Sequence, residues 1–272
     1  MSNLPWNIHW QGIYGMILRY VYLYTRNGLR LFELFFWPIN HLLVWGFLTR
    51  YLLQAGEGGS SIPVTFLLGG VLLWDVQFRA TQGVSVSLLE DVWVRNLLNV
   101  FVAPLRTMEI VVGYCVVGFL RILITVPLLT LGAYLAFSFN ILDFSPWLVP
   151  FYANLLLFGW SLGLLANALI LRWGQAAEGM AWAVPFLVQP FCAIYYTLET
   201  LPGWMQWISM AFPVTHVFEA MRAALSGEVH LWQGLGLAFL LNFFWLLLAG
   251  AMLFRVLRIS REKGLLTKIG TQ

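Results

Sequence analysis

The sequence predicts an all-α integral membrane protein. Six transmembrane helices are expected, with an N-terminal interfacial helix, a short amphipathic cytoplasmic helix and an outer re-entrant helix pair. Three observations carry this reading. The chain is 60% hydrophobic and only 10% charged, whereas about a quarter of the residues in soluble domains are charged. Six apolar stretches, at 31–53, 63–85, 107–139, 147–171, 177–197 and 232–257, reach the roughly 20 residues that cross a hydrocarbon layer as a helix. Nearly all the Lys and Arg fall in alternate breaks between these stretches.

The basic residues set the expected orientation. Arg19, Arg26 and Arg30 precede the first stretch, Arg95 and Arg106 lie between the second and third, and Arg172 lies between the fourth and fifth. Arg255, Arg258, Arg261, Lys263 and Lys268 gather around and beyond the end of the last. The break at 140–146 has none, that at 50–62 only Arg50, and that at 198–231 only Arg222. Positive charge marks the cytoplasmic side, so both termini are expected there, and an even number of spans follows.

The net charge of +3 is accounted for by these anchors and gives no reason to expect nucleic acid. Cys115 and Cys192 each fall inside an apolar stretch, without C-x-x-C spacing, and read as small buried residues rather than a disulfide or metal site. The N-terminus, with Asn3, Pro5, Trp6, Asn7 and His9, predicts no cleavable signal peptide. No G-x-x-x-x-G-K-[ST] string occurs, so the chain itself is expected to bind no nucleotide.

Taken in order, residues 1–30 mix Trp6, Trp10, Tyr14, Tyr20 and Tyr24 with Gln11, Arg19, Arg26 and Asn27. Aromatic and basic residues interleaved in this way suit a helix lying in the cytoplasmic interface. Near 87–100, apolar residues at helical spacing alternate with Glu90, Asp91, Trp93 and Arg95, before Pro104 breaks the run. This predicts a short amphipathic helix in a break longer than two adjacent spans need. On the other side, 198–231 is too apolar for a simple loop. Pro202, Trp204 and Trp207 read as one short helix, and Pro213 to Gly227 as a second, the two dipping back as a re-entrant pair. His216, Glu219 and Arg222 fall on one face of that second helix. Residues 258–272 are left as a cytoplasmic tail.

Ionisable groups at membrane depth are costly and usually face protein or a water-filled path. His41, Asp75, Arg79 and Arg121 are the candidates, with Glu33 and Glu109 nearer the cytoplasmic ends. Asp75 and Arg79 are four apart and should pair along one helix face. Gly159-Trp-Ser161-Leu-Gly163 matches a nucleophile-elbow string. An elbow needs a strand-to-helix turn, whereas this string lies within an apolar helix, where G-x-x-x-G permits close helix approach. An intramembrane serine hydrolase using Ser161 with His41 is the enzyme alternative.

With these elements in place, the chain resembles the type 2 ABC transporter permease family over nearly its whole length. The resemblance rests on Phe36-Trp37-Pro38, Leu68 to Asp75, Glu90-Asp91-Val-Trp93 through Pro104-Leu105 and Glu109, and Arg172-Trp-Gly174 to Glu178. It continues in Leu201-Pro202, Pro213-Val-Thr-His216 and Glu219-Ala-Met-Arg222. It departs from the family at Tyr196-Thr197, where relatives often carry proline second.

The resemblance implies a single transmembrane domain over 1–272, acting as half of a bacterial inner-membrane exporter and performing no covalent chemistry. It implies two permease copies, expected as a homodimer in the lipid bilayer, each docked to one subunit of an ABC ATPase dimer that binds the ATP and Mg; no cofactor is expected in this chain. Glu90, Asp91, Trp93 and Arg95 would belong to the coupling helix. Pro202, Trp204, Trp207, Pro213, His216, Glu219 and Arg222 would form the outer gate. The implied cargo is an amphipathic or hydrophobic molecule (drug, lipid or lipo-oligosaccharide), with polysaccharide or lipid-linked glycan as the alternative.

Overall fold

The computed structural model describes residues 9–55, 64–144, 146–225 and 231–264. Trp6, Gly227 and Lys268, used above, lie outside them. Among the described residues the chain is helical, with no β-strand. Helix α1 covers Trp10–Thr25, and after a turn at Arg26 and Asn27 helix α2 runs through Gly28–Ala55. Helix α3 spans Val64–Trp93, a short α4 covers Leu97–Val102, α5 spans Thr107–Phe137 and α6 Leu148–Trp173. Short helices α7 (Met180–Val188), α8 (Gly203–Met210) and α9 (Pro213–Leu225) precede the long α10, Leu231–Glu262.

Among the described residues, four helices are both long and apolar enough to cross a membrane: α2, α5, α6 and α10. Helix α3 has the length, at 30 residues, but carries Asp75, Gln77, Arg79, Thr81, Gln82, Ser85 and Ser87 along its middle. It tolerates them because it is the central helix, almost wholly buried from Phe66 to Val92 and packed by α5, α6, α2 and α7. Its polar groups find partners inside the protein: Ser85 and Ser87 donate to the carbonyls of Thr81 and Gly83, and Gln82 to that of Ala181. The outer helices show the opposite pattern. Along α2, Phe32, Phe36, Val44, Phe47 and Tyr51 are exposed, and along α10, Leu240, Phe243, Phe244 and Leu247. Such apolar faces suit contact with lipid.

Glycine sets how closely α3 is packed. A Cβ on Gly83 would stand 2.3 Å from the Cα of Gly118 on α5. On the opposite flank, a Cβ on Gly159 of α6 would meet the Gln77 carbonyl at 2.6 Å, and one on Gly163 the Thr81 carbonyl at 2.9 Å. Backbones this close gain dispersion contact that bulkier residues would forbid. Helices α6 and α10 are also tied by hydrogen bonds: the Asn242 amide donates to Oδ1 of Asn154 at 2.9 Å, and Ser260 donates to the Leu171 carbonyl.

Three elements differ from the sequence expectation. The apolar stretch at 177–197 is not one long helix. Helix α7 has nine residues, carries Pro185 within it, and passes into a 3-10 turn at Gln189–Phe191 that holds Pro190. Each proline removes a backbone donor, and Ala193 then takes a left-handed φ of 48°. Second, the region near 87–100 is not a separate amphipathic helix. Helix α3 continues to Trp93, breaks at Arg95 (φ 54°), and resumes as the six-residue α4. Third, α10 continues to Glu262, into the segment expected as tail. Helices α8 and α9 do form the pair of short helices expected at 201–225, joined at Ala211 and Phe212.

Replacing Gly83 with Val should drive α3 and α5 apart, because the obstacle is backbone and cannot swing aside. Overpacking of this kind costs about 1–3 kcal/mol or more. Thermal unfolding in detergent should show a clear loss for Gly83→Val and almost none for Gly250→Ala, where nothing lies within 4 Å of the added carbon.

Candidate functional site

Side-chain chemistry concentrates at the end of the bundle that carries α1. Asp91, on the last turn of α3, is 0% exposed. A carboxylate taken out of water must be paired and hydrogen-bonded, and three elements supply the partners. Arg19 of α1 donates from Nη2 to Oδ1. Tyr20 of α1 and Tyr114 of α5 both donate to Oδ2 at 3.0 Å. Burial, with Asp91 nearby, pushes the Tyr20 phenol well above its ordinary range, so it stays a donor.

Glu90 is also buried and serves a second set. Tyr24 of α1 donates to its Oε1 at 3.0 Å, and Arg30 of α2 and Arg121 of α5 approach that same oxygen at 3.5 and 4.0 Å. The Arg121 guanidinium lies 4.4 Å from the centre of the Tyr24 ring. A third carboxylate, Glu109, caps both helix starts: it accepts from the Arg106 backbone N–H at 2.9 Å, closing the first turn of α5, and from that of His9 at 2.8 Å. Helix α1 is thus held along its length by Glu109, Asp91 and Glu90 in turn.

Of the four residues expected to belong to a coupling helix, only two are exposed. Glu90 and Asp91 are buried against Arg and Tyr of their own chain, because α3 does not end before them. Trp93 and Arg95 are exposed, and with Val94, Asn99 and Val102, the last 83% exposed, they form the outer edge of this end. Trp93 also stacks on Trp182 of α7, 6.2 Å between ring centres. The sequence reading did not pick out Arg19, Tyr20, Tyr24 or Tyr114 as partners.

In the middle of α3, Asp75 and Arg79 pair as their spacing predicts, through two hydrogen bonds of 2.5 and 2.9 Å. His41 of α2 lies within electrostatic reach of both and sets its ring edge-on to Trp45. Arg121 does not join this pair and turns to Glu90. Ser161 is fully buried, and its hydroxyl donates to the Leu157 carbonyl of its own helix at 3.0 Å. In sequence it falls between Gly159 and Gly163, but a two-residue offset turns it away from the face on which those glycines meet α3.

At the α9 end, Glu219 and Arg222 form an ion pair at 2.5 Å. Glu219 also accepts from the Leu198 backbone N–H, and Arg222 donates to the Ala193 carbonyl at 2.9 Å. The pair therefore fastens the irregular stretch after α7 onto α9. His216 does not share it: its Nε2 stands 2.9 Å from the Met210 carbonyl, bridging α9 to α8. Pro202 caps α8 and Pro213 opens α9, while Trp204 and Trp207 stand exposed on α8.

The class is that of a multi-pass helical membrane protein. The chain belongs to the ABC-2 type transporter family, whose model matches residues 13–226. A comparison with curated proteins returned no match. The protein is accordingly a permease subunit of an ABC transporter, a transport membrane domain rather than a catalytic one.

Removing one member of a buried ion pair strands the other and costs about 3–5 kcal/mol. Arg19 keeps some access to water, so Asp91→Ala should fall near the lower figure. The loss should be local first: amide exchange in α1 should quicken strongly, while α6 stays protected. Equal loosening of both helices would mean that Asp91 supports the whole bundle rather than α1. Ser161→Ala should leave stability almost intact and Ser161→Leu should not.

Proposed function

We propose that this permease works in an ATP-driven exporter of the bacterial inner membrane, moving an amphipathic or hydrophobic molecule outward. Two copies pair, and each docks one subunit of a separate ABC ATPase dimer at its cytoplasmic face. Six crossings place both termini in the cytoplasm, with the fifth made by α7 and the irregular stretch after it. The observation that supports this most is the contrast at the end of α3. Glu90 and Asp91 are locked inward onto α1, while Trp93, Val94, Arg95 and Val102 stand exposed with apolar surface that water does not favour.

In this reading the ATPase grips the exposed edge, and its motion passes through the α3 terminus to α1. The carboxylates do not contact the ATPase; they join the gripped edge to the rest of the bundle. The α8–α9 pair then sits at the outer end of the path, where Glu219 and Arg222 hold it to the irregular stretch after α7. Among cargo classes, drug, lipid or lipo-oligosaccharide fits the apolar helices better than a free polysaccharide.

Val102→Asp should weaken association with the ATPase or uncouple ATP hydrolysis from transport, with folding unchanged, because Val102 is almost fully exposed. Trp93→Ala should do the same with some added instability from the lost Trp182 stack; truncating an aromatic anchor commonly costs about 2 kcal/mol of binding. A cysteine at position 95 should crosslink to the ATPase in membranes. Labelling of that cysteine only from outside the cell would reverse the orientation and end this reading.

A further inference from the structure

Around Glu90 and Asp91, the charges that hold the second half of α1 are not balanced. Three guanidinium groups, of Arg19, Arg30 and Arg121, meet two carboxylates, Asp91 and Glu90. Four of their nitrogens are buried without an acceptor: Nη1 of Arg19, Nη1 of Arg30, and Nε and Nη2 of Arg121. Oε2 of Glu90 is also without a donor. Native proteins rarely leave buried donors unmet, and where they do, a water or an ion commonly completes the set. An excess of positive charge at low dielectric favours an anion over a neutral water.

The cluster lies at the edge of the protein: the side chains of Arg19, Arg30 and Arg121 keep 30%, 22% and 13% of their exposure, although the unmet nitrogens themselves are covered. The turns of α2 around Arg30 carry exposed apolar residues. Leu29, Phe32 and Phe36 are exposed on α2, with Phe32 and Phe36 stacked at 5.1 Å. A chain lying on these residues would bring its head group beside Arg30. Arg26, exposed at the α1–α2 turn, adds positive charge, and Glu33, exposed one turn past Arg30, offsets it.

We propose that this seam binds a phosphate-bearing anion, supplied by an anionic phospholipid of the surrounding bilayer. The phosphate oxygens would accept from Arg30 and Arg121, where two guanidiniums now compete for one carboxylate oxygen. Basic pockets between membrane helices recognise lipid head groups by this chemistry. The lipid would brace α1 and α2 against α5. The inference is independent of the cargo carried and of which way the chain faces.

The test uses the full chain in nanodiscs of phosphatidylcholine, with and without added phosphatidylglycerol, and in detergent with inorganic phosphate. Thermal unfolding reports stabilisation, and native mass spectrometry counts retained lipid. Phosphatidylglycerol should raise the melting temperature and remain bound, and inorganic phosphate should do neither. Arg30→Gln and Arg121→Gln should each weaken retention about tenfold or more, the scale of one lost charge-assisted hydrogen bond. Arg258→Gln, which removes a fully exposed cation on α10, should change nothing.

Glu90→Gln separates a binding role from a purely structural one. It removes the competing charge, so lipid retention should rise even as the apo protein loses stability. Stabilisation by inorganic phosphate alone would keep the anion site and overturn the lipid as its source. Unchanged lipid retention in both Arg30→Gln and Arg121→Gln, or a fall in Glu90→Gln, would overturn the site itself.

Discussion

Everything at the α1 end depends on a carboxylate with no water around it. Asp91 is sealed at the tip of α3, and an isolated charge there would be too costly to keep. Arg19, Tyr20 and Tyr114 converge on it from two other helices and offset that cost. One residue therefore fixes where α1 lies, which way its ring-bearing face turns and how the start of α5 meets the end of α3. Glu90 and Glu109 extend the same principle to either side. Helix α1 buries Ile13 and Met16, and the three acids add the polar contacts that define its register.

The same logic explains why the least apolar of the long helices is the most buried. Lipid cannot satisfy the side chains of Asp75, Gln77, Arg79 or Ser85, so α3 has to be surrounded by protein. Gly83, Gly118, Gly159 and Gly163 let its neighbours come close enough to exclude lipid on both flanks. The outer helices need no such help, because their exposed Leu and Phe are already at home in hydrocarbon. Polarity inside and oiliness outside invert the arrangement of a water-soluble bundle.

Much of this was legible in the sequence, and the exceptions have physical causes. The Asp75–Arg79 pair and the packing role of Gly159 and Gly163 depend on spacings of four residues, which periodicity reports directly. The two short helices around Pro202 and Pro213 were marked by those prolines. The partners of Asp91 were not legible: Arg19 and Tyr20 are 72 and 71 residues away, and nothing local distinguishes a carboxylate awaiting water from one awaiting a distant arginine. For the same reason Glu90 and Asp91 read as an outward-facing surface. The stretch at 177–197 misled in another way. Its composition is that of a span, but hydropathy is blind to the donor that each proline removes.

The polarity of α3 has a consequence for how the protein is made. A helix leaving the ribosome is sorted by its own preference for lipid, and Asp or Arg near the centre of a helix carries a penalty of about 2.5–3.5 kcal/mol each on that scale. Helix α2 passes that test unaided; α3, with Asp75 and Arg79 at its middle, does not gain nearly as much. On that scale its entry should wait for the later-synthesised α5 and α6 that cover it, so the core helix would be committed to the membrane only once the partners that hide it have been made.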